Sequence, residues 1–293
     1  MDLIDGLKAF VATAQTGSFT RAAERLGISN RLTSKYVAEL ETRIDTRLLQ
    51  RTTRQVSLTP AGQDLLARAP ALLDELEDML GSVAEDAKGL SGLLRISAPV
   101  TYGETHLRRL LSRFSSRHPN IIIDLRLNDA HVDLATEGFD LAFRIGQLES
   151  ASLKYRQLGQ VRNLLVASPD YLQRYPTPQN PADLQHHRCI VDTNTRGDPR
   201  WSFQQNGAEF TFAPSRQLMV NSARVARDWA LDGIGVALCP DFVLQQSLAD
   251  GSLVPLLEEF QTRQRPICAV YLSGSVLSRK VRALIDFAVE EFE

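Results

Sequence analysis

Six side chains able to donate or accept hydrogen bonds crowd one short stretch: Ser29, Asn30, Arg31, Thr33, Ser34 and Lys35. Arg and Asn can each engage a base edge through two hydrogen bonds, while Ser and Thr hydroxyls bond to bases or phosphates. Lys adds a point charge suited to a phosphate. Ser18 and Thr20 supply two further hydroxyls upstream, and Arg51 and Arg54 supply two guanidinium groups downstream. These ten residues are the candidate contacts to a polyanion. A second set could hold a small molecule. Val100, Thr101 and Tyr102 follow an apolar run and precede a helical pattern, so free amides at that helix start could receive a carboxylate, with Thr101 donating a hydroxyl bond. Arg144 could pair with an anion, Ile145 could form an apolar wall, and Asn221 and Ser222 occupy a similar strand-to-helix loop further on. Helix capping by Thr101 and Asn221, and a salt bridge from Arg144 to Asp140 or Glu137, are the structural alternatives.

The elements that carry the first set follow from local pattern. Leu3, Leu7, Phe10, Val11 and Ala14 recur at helical intervals. Gly17 can end that helix and Ser18 can cap the next. Ala22, Ala23 and Leu26 belong to the second helix, which stops at Gly27. Ser29 can cap a third helix with Leu32, Tyr36, Leu40 and Ile44 on one face and Asn30, Arg31, Ser34, Lys35 and Ala38 on the other. A short helix, a glycine turn and a helix with a polar first turn form the helix-turn-helix pattern, whose second helix enters the major groove. Leu48–Leu49 and Gln55–Leu58 read as a hairpin with Arg51 and Arg54 near its tip, placed to grip the adjoining backbone.

Thr59-Pro60 should start a long helix. Along it Leu65, Ala69, Leu72, Leu76, Met79 and Val83 follow steps of 4, 3, 4, 3 and 4 residues, a heptad seam suited to pairing with a second subunit. Pro70 should kink or open this helix. Charge follows the same division. Residues 1–60 hold nine Lys/Arg against six Asp/Glu, and residues 61–90 hold two against seven. A basic head on an acidic spacer assigns any polyanion contact to the head.

From Gly92 onward apolar runs alternate with helical patterns. Segments 93–98, 121–127, 140–145, 163–168, 218–221, 234–238 and 267–272 read as strands, and 104–117, 129–137, 169–175, 223–232, 240–249 and 276–291 as helices. That alternation predicts an α/β unit with a mainly parallel sheet; about 200 residues is large for one such unit, which points to two lobes with a ligand cleft at strand C-termini. The expected boundaries are a head over 1–59, a linker helix over 60–89 and a ligand-binding domain over 91–293. Within the last, lobe one covers 91–162 and 267–293, and lobe two covers 163–266.

Other classes are disfavoured. Three scattered cysteines, Cys189, Cys239 and Cys268, are neither a disulfide framework nor a metal spacing, and they fit a reducing cytoplasm. The chain lacks an uninterrupted apolar run of about 18 residues and a basic leader, so neither a membrane span nor export is expected. His186-His187-Arg188-Cys189 is too compressed for one metal ion, and Gly233-Ile234-Gly235 is too short for a dinucleotide fingerprint. No cofactor or metal is expected. Cys239 could sense oxidants only with a depressed pKa, and a buried structural role is favoured. A transported-solute receptor is opposed by the N-terminal 90 residues. An enzyme is opposed by the missing nucleophile and paired-carboxylate motifs.

The run from Phe10 through Gly62, with AQTGSFTRAAERLGIS, LE at 40–41 and RTTRQVSLTPAG, resembles the LysR-type transcriptional regulators. GLLRISAP at 92–99, HPNIIIDL at 118–125, EGFDLAFRIG at 137–146, ASPDYL at 167–172 and DGIGVALCP at 232–240 resemble that family's effector domain, in order. Many relatives carry Gln and then a small residue or Pro at the start of the reading helix, where this chain has Asn30-Arg31-Leu32. The resemblance implies a winged helix-turn-helix and a pairing linker helix. It also implies a periplasmic-binding-protein-like sensor with two lobes. It further implies a homodimer or homotetramer on double-stranded DNA, controlled by a small effector in the interlobe cleft. Helix amides and Arg144 there suit an anionic effector.

Overall fold

The structure, a computed structural model, describes residues 2–51, 56–84, 89–130, 132–146, 153–194, 199–273 and 277–292. The head contains α1 (Leu3–Thr16), α2 (Phe19–Leu26), α3 (Asn30–Arg43), the strands β1 (Leu49–Arg51) and β2 (Val56–Leu58), then α4 (Pro60–Leu66) and α5 (Ala69–Ala84). In the remainder the order is β3 (Ser91–Ala98), α6 (Val100–Tyr102), a π turn (Gly103–Leu107), α7 (Arg108–Arg117), β4 (Asn120–Leu127), α8 (Leu134–Glu137), β5 (Leu141–Ile145), β6 (Leu153–Val161) and β7 (Asn163–Ala167). Next come α9 (Pro169–Arg174), β8 (Cys189–Asp192), β9 (Trp201–Gln205), β10 (Ala208–Phe212), β11 (Leu218–Val220), α10 (Ala223–Leu231) and β12 (Val236–Pro240). The last elements are α11 (Asp241–Ala249), β13 (Val254–Leu256), β14 (Gln261–Thr262), β15 (Arg265–Leu272) and α12 (Arg279–Phe292).

Local chemistry explains the head. Asp2, Ser18, Ser29 and Thr59 each accept a backbone N–H from the first turn of the helix that follows. Gly17 and Gly27 adopt left-handed backbone, with φ of 63° and 66°, and so close the first two helices without Cβ strain. Ala22 and Ala23 are buried, which lets α2 lie close to its neighbours. Leu7, Phe10, Val37, Leu40, Leu48 and Leu66 form the core. The buried stripe of α3 is Thr33, Val37, Leu40 and Glu41. The expected stripe of Leu32, Tyr36, Leu40 and Ile44 is thus displaced around the helix, and Ile44 is 41% exposed. The long helix is also interrupted. Pro70 has no N–H to give to the Leu66 carbonyl, and the chain breaks at 67–68 into α4 and α5.

Two five-stranded sheets form the rest. One has the order β4-β3-β5-β15-β6, the other β11-β8-β12-β7-β13, and a small third sheet has the order β10-β9-β14. The chain leaves the first sheet for the second between β6 and β7, and returns to the first from β14 of the small sheet into β15. The expectation of mainly parallel sheets is corrected: β15 runs antiparallel to β5 and β6, and β7 runs antiparallel to β12 and β13. The returning crossing brings β15 into the first sheet in the opposite direction. Strands β6, β8, β9, β10, β13 and β14 escaped the sequence reading. β6 reads LKYRQLGQV and is largely exposed at a sheet edge, so it lacks the apolar signal of a buried strand. The helix expected over 129–137 shrinks to Leu134–Glu137, because Asp133 caps it by accepting from Ala135 and Thr136 amides. In the second sheet alternate residues serve opposite faces: Leu165 and Ala167 join one apolar cluster, Val166 joins the other.

Candidate functional site

The polar end of α3 projects from the head. Asn30, Arg31 and Lys35 are exposed, and Ser34 is half-buried. Asn30 Nδ2 donates to Thr20 Oγ1 at 3.0 Å, joining the first turns of α2 and α3 into one polar surface. Lys35 Nζ lies 3.7 Å from Glu39, and its side chain remains 64% exposed. Ser18 and Ser29 accept the Arg21 and Leu32 amides at 3.4 and 3.2 Å, so each caps the N-terminus of its helix. Thr33 does not share this surface. It is fully buried and its hydroxyl donates to the Ser29 carbonyl at 3.1 Å, so its expected DNA contact is corrected to an internal packing role. An i−4 backbone bond hides the hydroxyl and lets a polar residue occupy the core face.

Glu41 is the residue the reading missed here. It is buried, and its Oε1 accepts the Leu48 and Leu49 amides at 2.8 and 3.0 Å, fastening β1 to α3. The hairpin is antiparallel, with Leu49 opposite Leu58 and Arg51 opposite Val56. A Cβ on Gly62 would collide with the Leu48 carbonyl oxygen, so glycine is needed where α4 crosses the hairpin. The side chain of Arg51, and Arg54 altogether, lie outside the described residues.

The residues of the second set gather where the two larger sheets meet. Val100 and Thr101 begin the helical run after β3, Arg144 and Ile145 end β5, and Asn221 and Ser222 follow β11. The Val100 amide, expected to receive a ligand carboxylate, instead donates to Asp129 Oδ1 at 3.0 Å. Arg144 donates to Ser97 Oγ and to the Phe143 carbonyl, both at 2.8 Å. Burial lowers the Arg144 pKa, and the Asp129 and Glu137 charges oppose that shift. The Asp140 carboxylate accepts the Arg95 amide at 2.7 Å. Asp129 is itself pushed up, chiefly by burial. Its position two residues beyond β4 was the available signal, since it follows a strand C-terminus.

Opposite it, Asp192 ends β8 and is also raised by burial, with Asp129 pushing the same way and Arg265 opposing. Asp192 was missed because β8 was not recognised as a strand. Asn221 is exposed and offers its carbonyl to Asn194 Nδ2 at 2.8 Å, while Ser222 caps α10. Glu104 and Arg224 pair at 3.1 Å across the two lobes. Tyr102, expected in the set that holds a small molecule, is corrected to a packing residue. It is 2% exposed, stacks on His106 and meets the edge of Phe242, which lies on α11 of the other lobe. The π turn directly follows it, and such turns often mark functional positions.

The remaining chemistry is structural. All three cysteines are buried. Burial pushes the Cys189 thiol up to about 12 and raises Cys239 further, the reverse of what a reactive thiolate needs. His187 shares a 3.2 Å hydrogen bond with the Tyr171 hydroxyl. Among the described residues no group of three His, Cys, Asp or Glu could hold a metal ion, and no helix is long and apolar enough to cross a membrane.

Known proteins match both parts. Residues 4–63 fit the model of the bacterial regulatory helix-turn-helix protein, lysR family, and residues 87–293 fit the LysR substrate binding domain. An HTH-type transcriptional regulator CrgA of Neisseria meningitidis serogroup C is 32% identical over 287 residues, covering 97% of this chain and 95% of the relative. A solved structure of CrgA from Neisseria meningitidis superposes with a TM-score of 0.64 at 31% identity, over 98% of each chain. The full-length Vibrio cholerae virulence activator AphB superposes with a TM-score of 0.62 at 29% identity, over 99% of each chain.

Proposed function

The chain belongs to the LysR family of bacterial transcriptional regulators, and from that premise we propose how its own residues read DNA and sense an effector. The family is one of regulators rather than enzymes. The observation that carries the reading is the exposed first turn of α3, where Asn30, Arg31 and Lys35 stand free of the core on a helix pinned by Gly27, Ser29 and Glu41. Asn30 and Arg31 read base edges in the major groove, and Lys35 meets phosphate. Ser18, Thr20, Ser29 and Ser34 contribute hydroxyls and helix-terminal amides to the backbone of the duplex. Arg51 and Arg54 grip the neighbouring phosphates from the hairpin.

The effector lies between the lobes, on Val100, Thr101, Arg144, Ile145, Asn221 and Ser222. It is anionic. Its carboxylate takes the place that Asp129 fills beside Val100 and Arg144 in this structure, so the protein holds the site with its own anion until the effector competes. A ligand shifts the regulator only by its differential affinity for the two lobe arrangements. The protein acts in the cytoplasm as a homodimer or homotetramer on double-stranded DNA. Two copies of α5 pair, one from each subunit.

A gel shift with the DNA upstream of the gene tests the head. Arg31→Ala should cost about 1–3 kcal/mol and relax preference at one base position, whereas Lys35→Ala should weaken all sequences alike. Unchanged affinity in both variants would reject the placement. For the sensor, Thr101→Val and Asn221→Ala should leave uninduced DNA binding intact and abolish the reporter response to the inducing compound. A normal response in both would remove these residues from the site.

A further inference from the structure

A cavity of about 600 Å³ lies beside the two chain crossings on the side of the second lobe, and none of the proposed effector residues lines it. Its volume falls within the range of about 300–1,000 Å³ typical of small-molecule sites. The floor is apolar: Leu165 and Phe203 are buried there, and Leu164, Leu248 and Phe260 are half-buried around it. Cations stand at the margin. Arg162 is 61% exposed and lies 3.8 Å from Asp241. Arg263 is exposed and makes no ion pair or side-chain hydrogen bond among the described residues. Glu258 is the only acidic residue among the described lining residues.

We propose that this cavity is a second ligand site, for an amphipathic organic acid whose apolar body lies on Leu165, Phe203 and Leu248 and whose carboxylate meets Arg263. A guanidinium fork matches a carboxylate with two parallel hydrogen bonds, which favours an acid over a neutral molecule of equal shape. The position gives the site a consequence. Asn163 and Thr262 belong to the two crossings that join the lobes, and the Thr262 hydroxyl donates to the Asn163 carbonyl, tying one crossing to the other. A ligand seated against both crossings biases how far the lobes open. The proposal stands independently of the interlobe reading, because it uses none of those residues.

The test is calorimetric titration of the full-length protein with octanoate, with octanamide as the neutral counterpart. Octanoate should bind saturably, and octanamide should bind about tenfold more weakly, as expected when a charged partner is lost. Arg263→Gln should weaken octanoate by a similar factor, and Leu248→Trp should abolish binding by filling the cavity. Should Leu248→Trp fail to fold by circular dichroism, Arg263→Gln decides alone, since its side chain is at the surface. Absence of saturable binding up to about 10 mM overturns the proposal. So does equal affinity of octanoate for the wild type and Arg263→Gln. Loss of binding in Arg144→Gln with retention in Arg263→Gln also overturns it, by placing the acid in the interlobe cleft.

Discussion

Asp192 shows how one carboxylate can make the contact between lobes depend on pH. It stands at the end of β8, takes the Asn194 amide at 3.0 Å, and is raised mainly by burial. A raised carboxylate holds its proton in the folded state at a pH where the unfolded chain has released it. The folded state then binds more protons, so stability falls as pH rises through the window just above the ordinary aspartate value of about 4. Asp192→Asn removes that ionisation and keeps an oxygen for the Asn194 amide. The variant should match the wild type below the window and melt higher than the wild type above it. Thermal melts across acidic to neutral pH check this, and a wild type that gains on the variant with rising pH would reverse the sign. Asp129 belongs to the same group, and its raised carboxyl lies close enough to Asp192 to add to the effect.

The reading helix owes its aim to a second element. Glu41 on α3 receives two amides from the start of the hairpin, Leu48 and Leu49, in a buried setting. Glu41→Ala would leave both donors without a partner. At about 1–3 kcal/mol for each of the two unsatisfied buried groups, unfolding free energy should drop by about 2–6 kcal/mol in urea titrations. Glu41→Gln keeps an acceptor oxygen and should lose less than half as much. Equal losses would show that the charge, and not the acceptor, holds the hairpin. The interruption between α4 and α5 has a similar local cause. It turns Leu66, Ala69 and Leu73 onto the head's own core and leaves Leu72 and Met79 outward, 58% and 54% exposed.

Those two outward residues are seven apart, the repeat of a paired helix seam. An isolated chain would leave both in water, so a second copy is the natural cover. Leu72→Glu with Met79→Glu should halve the particle mass in sedimentation and leave the lobes folded. A wild type that sediments as a monomer at micromolar concentration would contradict the seam. Ile122 on β4 and Met219 on β11, 64% and 51% exposed, add apolar surface at the outer edges of the two larger sheets.

Interactions that close within about four residues were legible in the chain before folding. Caps at Ser18, Ser29 and Thr59, turns at Gly17 and Gly27, and the break forced by Pro70 all act at that range, so residue order alone placed the helices of the head. The alternation of apolar runs indicated the α/β class for the same reason, whereas the division into two lobes rested on the length of the segment. Contacts between distant segments were decided only by the tertiary structure. Thr33 and Arg31 are both polar, yet one is fully buried and the other exposed, because the helix rotated to present Val37 and Leu40 to the core. Asp129 reached the Val100 amide from 29 residues away, and Glu104 met Arg224 from the opposite lobe. Edge strands such as β6 carried no apolar pattern, because backbone hydrogen bonds to β15 hold them in place. Which carboxylate takes a given amide, and which helix face is covered, depends on chain segments brought together by packing. Local pattern carries no information about those partners.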